Sequence, residues 1–384
     1  MTKKRRNLFC ARILCASILF SLAAPVSAEE TASAVSVEAP EYVLMEPETG
    51  TVILEKDKDV PRSPASVTKV MTLLLIFEEI EKGNLKLDDT VTTSAHAKSM
   101  GGSQVFLEEG ETQTVETMIK CIVIASGNDA SVAMAEHIAG SEAEFVNAMN
   151  KKAQALGMKN THFVDCCGLT DSDDHYTTAY DIALMSRELI RKYPEILNYS
   201  SVWMDTITHN TRQGSKEFGL SNTNRLIRTY EGCVGLKTGS TSKAKFCVSA
   251  VAKRKGITLI AVVMAAPDSR TRVKDASMLF DYGFAKCSLY TDENPGKLPD
   301  LKVIKGIKEK TTLTFGKTFR CLSTDGTTFD KIKKKLILPN EVKAPVKKGQ
   351  KAGELVYYQE NRELGRIPVI YAENVKKAGY LDRL

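Results

Sequence analysis

The sequence lacks a strong excess of charge of either sign. Its formal net charge is +6, but residues 1–28 hold five basic residues and no acidic ones, so the rest of the chain carries +1. A near-neutral chain has no global electrostatic signature of a nucleic-acid partner, and we expect none. Apolar residues make up 43% and charged residues 26% of the composition, which is typical of a folded protein and excludes extended disorder.

A disulfide framework is also missing. Nine cysteines are present, of which seven lie beyond residue 28, an odd number without C-x-x-C spacing. We therefore expect free thiols. These seven residues are Cys121, Cys166, Cys167, Cys233, Cys247, Cys287 and Cys321.

Metal motifs are similarly scarce. Potential ligands are concentrated between residues 162 and 175, but adjacent cysteines and an Asp-Ser-Asp-Asp run are more typical of a solvated turn. We expect no metal and no cofactor. These residues are His162, Asp165, Cys166, Cys167, Asp173, Asp174 and His175. Three other histidines, His96, His137 and His209, are expected on helix or loop surfaces without a set of partners.

Residues 1–28 have the composition of a signal peptide. A basic start precedes the apolar run ILCASILFSLAA, and Val26-Ser27-Ala28 fits the small-residue pattern of a cleavage site. The sequence therefore predicts export to the extracytoplasmic cell envelope.

The remaining chain divides into two parts by its pattern of apolar residues. Residues 38–288 mix helical periods with strand-like runs, which predicts an α/β (α+β) domain with helices around a sheet. From 295 to 384, short alternating segments between turn residues predict a small all-β domain. We expect a hairpin over 42–57, strands over 232–265, and helices at about 63–82, 114–125, 129–139, 142–156, 178–192 and 270–282.

The stretch SPASVTK, residues 63–69, places a lysine at the start of an apolar helix. Ser63 is expected to cap this helix, with Pro64 in its first turn. Positions i and i+3 share one helix face, so Ser66 Oγ and the Lys69 amine can come within hydrogen-bond reach. A desolvated lysine loses its proton more readily, and a neutral amine can act as general base for a serine nucleophile. The alternative is a helix-start serine with a lysine that extends to solvent.

The S-x-x-K pattern alone is weak. Ser240/Lys243 and Ser242/Lys245 match it as well, and we interpret them as turn and surface residues.

Two further motifs favour the catalytic interpretation. Ser126-Gly127-Asn128 lies between two expected helices, and Lys237-Thr238-Gly239 opens an expected strand. The three motifs begin at Ser66, Ser126 and Lys237, at intervals of 60 and 111 residues. In this order they form the S-x-x-K, S-x-N and K-T-G set of β-lactamases and penicillin-binding proteins.

The chain resembles the low-molecular-mass penicillin-binding proteins that are serine-type D-alanyl-D-alanine carboxypeptidases. The resemblance extends from about residue 38 through SGNDASVAMAEHIAGS, ALGMKNTHFVDCCGL, HYTTAYDIALMSRELI, SNTNRLI, GLKTGSTSKAKFCVSA and VKKGQKAGELV. It implies a penicillin-binding/β-lactamase-like transpeptidase domain, with an antiparallel sheet flanked by helices, followed by the small all-β domain. It also implies a hydrolase of peptidoglycan stem peptides ending in D-Ala-D-Ala that is acylated by β-lactam antibiotics.

The resemblance assigns the acyl-transfer steps to three residues. Ser66 would attack the carbonyl of the penultimate D-Ala and form an acyl-enzyme, and Lys69 would take the proton of Ser66. Ser126 would relay a proton to the leaving D-Ala, and water would then hydrolyse the acyl-enzyme.

The resemblance also assigns substrate-binding residues. Asn128 would hold the substrate amide, and Lys237 with Thr238 would bind the terminal carboxylate. Gly239 and Ser240 would continue the substrate-binding strand, and the backbone N–H groups of Ser66 and Ser240 would form the oxyanion hole.

Two departures from the family pattern bear on substrate range and membrane contact. Lys245-Phe246 stands where relatives often have glycine and an aromatic residue. The sequence ends at VKKAGYLDRL, where relatives often continue into an amphipathic membrane-binding helix, so peripheral membrane contact through the C-terminus is left open.

Two rival functions are also left open. A β-lactamase of the same fold would need a deacylating glutamate in an E-x-x-L-N loop, but Glu195-Ile196-Leu197-Asn198 is one residue too short and is interpreted as a helix C-terminal turn. A non-catalytic wall-binding scaffold would not need the motif residues.

Overall fold

The computed structural model describes residues 35–211 and 214–379. Its helices are α1 Lys69–Glu81, α2 Ala95–Lys98, α3 Val115–Val123, α4 Asn128–Ala139, α5 Glu142–Ala155, α6 Ala179–Lys192, α7 Ile196–Ser200, α8 Leu226–Thr229 and α9 Ser269–Lys286. The expected helices at α3, α4, α5, α6 and α9 are confirmed, with ends within four residues of prediction. The Glu195–Asn198 segment was expected to be the C-terminal turn of a helix, which is wrong. It contains the start of the separate short helix α7, because Tyr193 and Pro194 interrupt α6.

The strands of the first part of the chain are β1 Glu41–Glu46, β2 Thr51–Lys56, β3 Thr90–Thr92, β4 Thr112–Thr114, β5 Met204–Thr211, β6 Gly214–Ser221, β7 Cys233–Thr241, β8 Lys245–Arg254 and β9 Ile257–Ala266. Five of them form an antiparallel sheet in the order β2-β1-β9-β8-β7. The predicted hairpin is β1–β2. The sheet therefore joins strands from both ends of this part of the chain.

Both faces of this sheet are covered, so its central strands are almost continuous apolar runs. Along β9, Ile260 and Val262 face the larger core, to which α1, α3, α4 and α6 contribute. The alternate residues Leu259 and Val263 face a second core against α9. Successive side chains of a strand point to opposite faces, so burial on both sides removes the polar alternation.

The segment with Ser66 is a 3-10 turn, Ala65–Thr68, that leads directly into α1. Ala65 has φ +48°, a left-handed conformation that residues other than glycine rarely adopt. The predicted cap at Ser63 is wrong: Pro64 precedes the 3-10 turn and no side chain caps it. The left-handed conformation of Ala65 turns the chain between Ser63 and the first backbone N–H groups of the 3-10 turn. The Ser63 side chain therefore does not cap them.

The last part of the described chain is all-β. Its strands are β10 Ser288–Asp292, β11 Leu301–Ile304, β12 Lys310–Thr311, β13 Leu313–Phe315, β14 Phe319–Ser323, β15 Lys333–Ile337, β16 Glu341–Lys343, β17 Lys351–Gln359 and β18 Arg362–Tyr371. They form a four-stranded sheet in the order β13-β18-β17-β15, a three-stranded sheet β12-β11-β16, and the pair β10-β14. Two small apolar clusters fill this part, around Tyr357 and Val375.

The predicted fold class, a helix-flanked antiparallel sheet followed by an all-β domain, is confirmed. The domain limits 38–288 and 295–384 stay predictions. No helix in residues 35–211 and 214–379 is long and apolar enough to cross a membrane. The predicted signal peptide, residues 1–28, lies outside the described residues.

Candidate active site

The 3-10 turn places the two side chains of the first motif, Ser66 and Lys69, next to each other. Lys69 Nζ lies 3.0 Å from Ser66 Oγ, and the Lys69 side chain is completely buried. The ammonium of a buried lysine loses its hydration, so burial lowers the pKa of Lys69. Asp165 and Asp129 oppose this shift by their negative charge, but burial is the larger effect.

Two further acceptors hold the Lys69 amine. Its Nζ lies 2.6 Å from Asn128 Oδ1 and 2.8 Å from the Cys167 carbonyl oxygen. Asn128 Nδ2 in turn donates to the Gly101 carbonyl at 2.7 Å. The second motif therefore contacts the first through Asn128, and both ends of the Asn128 amide are engaged within the protein.

Ser126 precedes α4 in a strained backbone conformation. It has φ +65° and is 3% exposed. Residues other than glycine are held in this region only when the surrounding structure enforces it, and such residues cluster at functional sites. Gly127 N donates to the Cys121 carbonyl and Asn128 N to the Ser103 carbonyl, and these bonds fix the backbone on the C-terminal side of Ser126.

The third motif lies inside β7. The prediction that Lys237 opens the strand is wrong, because β7 begins at Cys233, four residues earlier, where the backbone already pairs with β8. Gly239 lies directly against the Ser66 turn: a Cβ at this position would be 2.6 Å from Pro64 O and 2.9 Å from Ser66 N. A residue other than glycine would push the strand away from the Ser66 turn.

Lys237 is the second buried lysine of the site. It is 1% exposed, and its Nζ donates to the Thr238 carbonyl at 3.0 Å. Burial lowers its pKa well below the usual range, and the positive charges of Lys69 and Arg272 lower it further. Thr238 Oγ1 donates to Thr223 Oγ1 at 2.7 Å.

Arg272, on α9, is a site residue that sequence reasoning missed. It is 7% exposed, and its Nη1 donates to the carbonyls of Gly239 and Cys247 at 3.3 Å each. Its guanidinium also lies over the Phe246 ring at 5.7 Å, and its Nε has no hydrogen-bond partner among the described residues. No sequence motif identifies this arginine. It lies on α9, outside the three motifs, and the residues around it have the pattern of an ordinary charged helix start.

The other S-x-x-K matches span the connection between β7 and β8: Ser240 lies in β7, Ser242 and Lys243 lie in the turn, and Lys245 begins β8. Lys243 Nζ contacts the Asp171 carbonyl at 2.8 Å and the Asp173 carboxylate at 2.6 Å across the protein surface. Ser242 and Lys245 are exposed. The surface position of all four residues is confirmed, but the turn assignment is wrong for Ser240 and Lys245, because β7 continues through Ser240 and β8 begins at Lys245.

The potential metal ligands between 162 and 175 have other partners. The Asp165 carboxylate accepts the backbone N–H groups of Cys167, Gly168 and Thr170, and His175 is buried beside Thr68. Within the described residues no group of three or more His, Cys, Asp and Glu side chains could hold a metal ion. The seven described cysteines are free thiols.

Histidine placement was partly mispredicted. His209 was expected on the surface, which is wrong: it points inward from β5, is 8% exposed, and its Nδ1 lies 2.8 Å from Glu111 Oε1. The buried Glu111 carboxylate supplies the partner that makes its burial possible. His137 is exposed, as expected, and His96 lies 2.9 Å from Glu142 on the surface.

Comparison with known proteins identifies the family of this site. The profile of the D-alanyl-D-alanine carboxypeptidase family matches residues 28–268, and that of the C-terminal domain of penicillin-binding protein 5 matches residues 292–377. The chain belongs to the D-alanyl-D-alanine carboxypeptidase family. It is therefore a serine-type carboxypeptidase of the penicillin-binding protein class, as the resemblance implied.

Individual relatives support this membership over most of the chain. D-alanyl-D-alanine carboxypeptidase DacF of Bacillus subtilis (strain 168) is 43% identical over 348 residues, 90% of this chain and 88% of the relative. DacC of Escherichia coli (strain K12) is 31% identical over 366 residues, 93% of this chain and 89% of the relative. The solved structure of penicillin binding protein 5 from Haemophilus influenzae has a TM-score of 0.67 at 28% identity, covering 89% of this chain and 98% of that one.

Proposed function

We propose that this carboxypeptidase removes the terminal D-alanine from peptidoglycan stem peptides ending in D-Ala-D-Ala through an acyl-enzyme on Ser66. Ser66 Oγ attacks the carbonyl of the penultimate D-Ala, and its proton passes to Lys69. The C–N bond to the terminal D-Ala then breaks, and the leaving amine receives a proton through Ser126. Water hydrolyses the Ser66 ester and releases the shortened peptide.

The observation that carries this proposal is the set of contacts around Lys69 Nζ. A neutral primary amine has two N–H groups and one lone pair. Asn128 Oδ1 and Cys167 O accept the two N–H groups, so the lone pair is left for the Ser66 hydroxyl at 3.0 Å. The lowered pKa of Lys69 favours this neutral form.

Asn128 therefore orients the base in the absence of substrate. The role implied by the resemblance, holding the substrate amide, requires one of its two present hydrogen bonds to be exchanged when the peptide binds. We assign to Asn128 both the orientation of Lys69 and a contact with the substrate.

The β7 side of the site suits a carboxylate. Lys237 and Arg272 are buried cations whose hydrogen bonds in the described structure go to backbone carbonyls. A buried cation without a counterion is costly, and the free carboxylate of the terminal D-Ala provides the missing charge. The Thr238 hydroxyl adds a donor beside Lys237, because its O–H can turn from Thr223 to the ligand.

The peptide backbone of the substrate can extend along β7. This strand pairs with β8 on one side, and within the described residues no other strand pairs with its second edge. The carbonyls of Val234 and Gly235 already accept from the side chains of Ser200 and Asn224, so we assign the substrate to the part of β7 beyond them. The contact of Gly239 with the Ser66 turn brings this edge next to Ser66 N. The N–H groups of Ser66 and Ser240 then stabilise the oxyanion of the tetrahedral intermediate.

Penicillin acylates Ser66 in the same way, because its β-lactam carbonyl and carboxylate occupy the places of the scissile amide and the terminal carboxylate. We further assign the protein to the extracytoplasmic cell envelope after export, with a role in peptidoglycan biosynthesis and cell shape. We include in this proposal a peripheral contact of the C-terminal segment, which contains Lys376 and Lys377, with anionic lipid headgroups.

A fluorescent penicillin tests the nucleophile. Ser66→Ala should abolish covalent labelling and D-Ala release while the circular dichroism spectrum stays unchanged. Ser242→Ala is the matched control, because Ser242 also begins an S-x-x-K pattern but is exposed in the β7–β8 turn. Rapid loss of bound label from the unmodified protein would indicate a β-lactamase, absence of label a scaffold, and labelling of Ser66→Ala a different nucleophile.

A further inference from the structure

One buried histidine directly contacts the turn that carries Ser66 and Lys69. His175 is 1% exposed, and its Nε2 lies 2.8 Å from Thr68 Oγ1. Its Nδ1 accepts the backbone N–H of Val164 at 3.2 Å, so the ring proton is on Nε2 and is donated to Thr68. The ring also packs edge-on against Phe163 at 5.7 Å.

The segment that is hydrogen-bonded to His175 through Val164 supplies one of the two acceptors of the Lys69 amine. We call residues 163–169 the wall, because they lie alongside the start of α1. The Cys166 carbonyl accepts a hydrogen bond from Thr72 Oγ1 at 2.5 Å, and the Cys167 carbonyl accepts one from Lys69 Nζ at 2.8 Å. Gly168 packs so closely that a Cβ there would overlap the Ala65 carbonyl. The position of the Cys167 carbonyl therefore depends on how the wall is held against the turn.

We propose that neutral His175 is a positioning residue for Lys69. By joining Val164 to Thr68 in a single buried bridge, it fixes the wall at the distance at which the Cys167 carbonyl takes one N–H of the Lys69 amine. The lone pair of the amine is then directed at Ser66. This inference depends on the proposed role of Lys69 as the base.

Protonation of His175 would break the bridge. A proton on Nδ1 would face the Val164 N–H, so two donors would meet in a buried site and the Val164 bond would be lost. Burial lowers the pKa of His175, so the neutral form persists below the usual range of histidine. Among the charged neighbours, Asp165 in the wall raises this pKa, whereas His162 on the same loop and Lys243 in the β7–β8 turn lower it. On the side of the 3-10 turn, the residue next to Thr68 is Lys69 itself.

Three variants of the full chain test this inference. His175→Ala removes the bridge, and His175→Gln keeps a donor near Thr68 but cannot be protonated. His162→Gln is the matched control: His162 lies in the same loop and is exposed, with its Nδ1 2.7 Å from the Asp174 carbonyl. For each variant, kcat and KM on a D-Ala-D-Ala peptide and the rate of penicillin acylation are measured between about pH 5 and pH 9.

We expect His175→Ala to lose about 10- to 100-fold in kcat and in acylation rate, with KM nearly unchanged, because the base is misdirected and not removed. His175→Gln should recover most of this loss at neutral pH, and its acid limb should be less steep than that of the unmodified enzyme because one protonation is missing. His162→Gln should match the unmodified enzyme at neutral pH. In NMR spectra, His175 should show the Nε2–H tautomer at neutral pH.

The possible failures can be told apart. A folded His175→Ala protein with unchanged kcat and acid limb would overturn the positioning role, while an inactive Ser66→Ala protein would leave the proposed function intact. Labelling of Ser66→Ala would overturn the proposed function instead. If His175→Ala does not fold, the Gln variant decides: an acid limb as steep as that of the unmodified enzyme contradicts the inference.

Discussion

The two lysines of the site, one at the start of α1 and one on β7, are equally buried but differently surrounded. Lys69, at the start of α1, is held by Ser66, Asn128 and the Cys167 carbonyl. Lys237, on β7, donates to the carbonyl of its own neighbour Thr238; burial lowers its pKa, and the positive charges of Lys69 and Arg272 lower it further. Burial alone therefore does not define the role of a lysine. In the proposed mechanism, the acceptors Asn128 Oδ1 and Cys167 O orient Lys69 as a base toward Ser66. Lys237, which donates only to the carbonyl of its neighbour beside a second cation, would bind an anion.

The largest effect is expected from removing the amine of Lys69. Lys69→Met keeps the length and burial of the side chain but has no lone pair or N–H, so we expect acylation by penicillin and D-Ala release to fall about 10³-fold or more. Stopped-flow acylation measures this effect. Lys243→Met serves as the control, because Lys243 is the lysine of a second S-x-x-K pattern at the surface. If both variants retained similar activity, Lys69 would not be the base.

The protonation state of Lys69 gives the next largest effect. In the proposed mechanism the neutral amine is the active form, and burial lowers the pKa of Lys69, so activity should be maximal above this lowered pKa and fall about tenfold per pH unit below it. The acylation rate should therefore reach its plateau at a lower pH than it would with a lysine in water, whose pKa is about 10. A rate that keeps rising through about pH 10 would show that Lys69 behaves as an ordinary exposed lysine.

A smaller effect is expected from the second cation on the β7 side. Arg272→Leu should lower kcat/KM for a free-acid substrate about 10- to 100-fold, because a charged hydrogen-bonded contact is lost. A substrate with an amidated C-terminus should lose much less. Arg270→Leu, two residues earlier on α9 and exposed, is the control. Equal losses on both substrates would mean that Arg272 supports β7 without contributing to anion binding.

The smallest effect concerns the hydroxyl pair of Thr223 and Thr238. Thr223→Val removes the 2.7 Å partner of Thr238 Oγ1 while keeping the shape of the side chain. We expect KM for the free-acid peptide to change about two- to fivefold, the scale of one net hydrogen bond, with kcat unchanged. A change confined to kcat would contradict a role in carboxylate binding.

The sequence allowed the motif residues to be predicted because their chemistry is local. Ser66 and Lys69 are one turn apart, and the S-x-N and K-T-G motifs can be recognised without knowing their neighbours. The 3-10 turn at Ala65 and the inward position of His209 could not be predicted, because each depends on packing against distant segments.

Arg272 and the Cys167 carbonyl were missed for the same reason. Arg272 reaches the site across the sheet from α9, and its contact with Gly239 spans 33 residues of sequence. The Cys167 carbonyl is a backbone group that no side-chain motif can reveal, and it meets Lys69 across 98 residues.

The difference between the two lysines is tested most directly by comparing kcat/KM for a D-Ala-D-Ala peptide with a free C-terminal carboxylate and for its amide, in the unmodified enzyme and in Lys237→Met. We predict that the amide loses roughly 2–4 kcal/mol of transition-state stabilisation in the unmodified enzyme, because it leaves Lys237 without its counterion. Lys237→Met should be impaired on the acid but show little further loss on the amide, since both changes remove one contact. Equal kcat/KM for acid and amide in the unmodified enzyme would show that Lys237 does not bind the carboxylate, and would contradict the account.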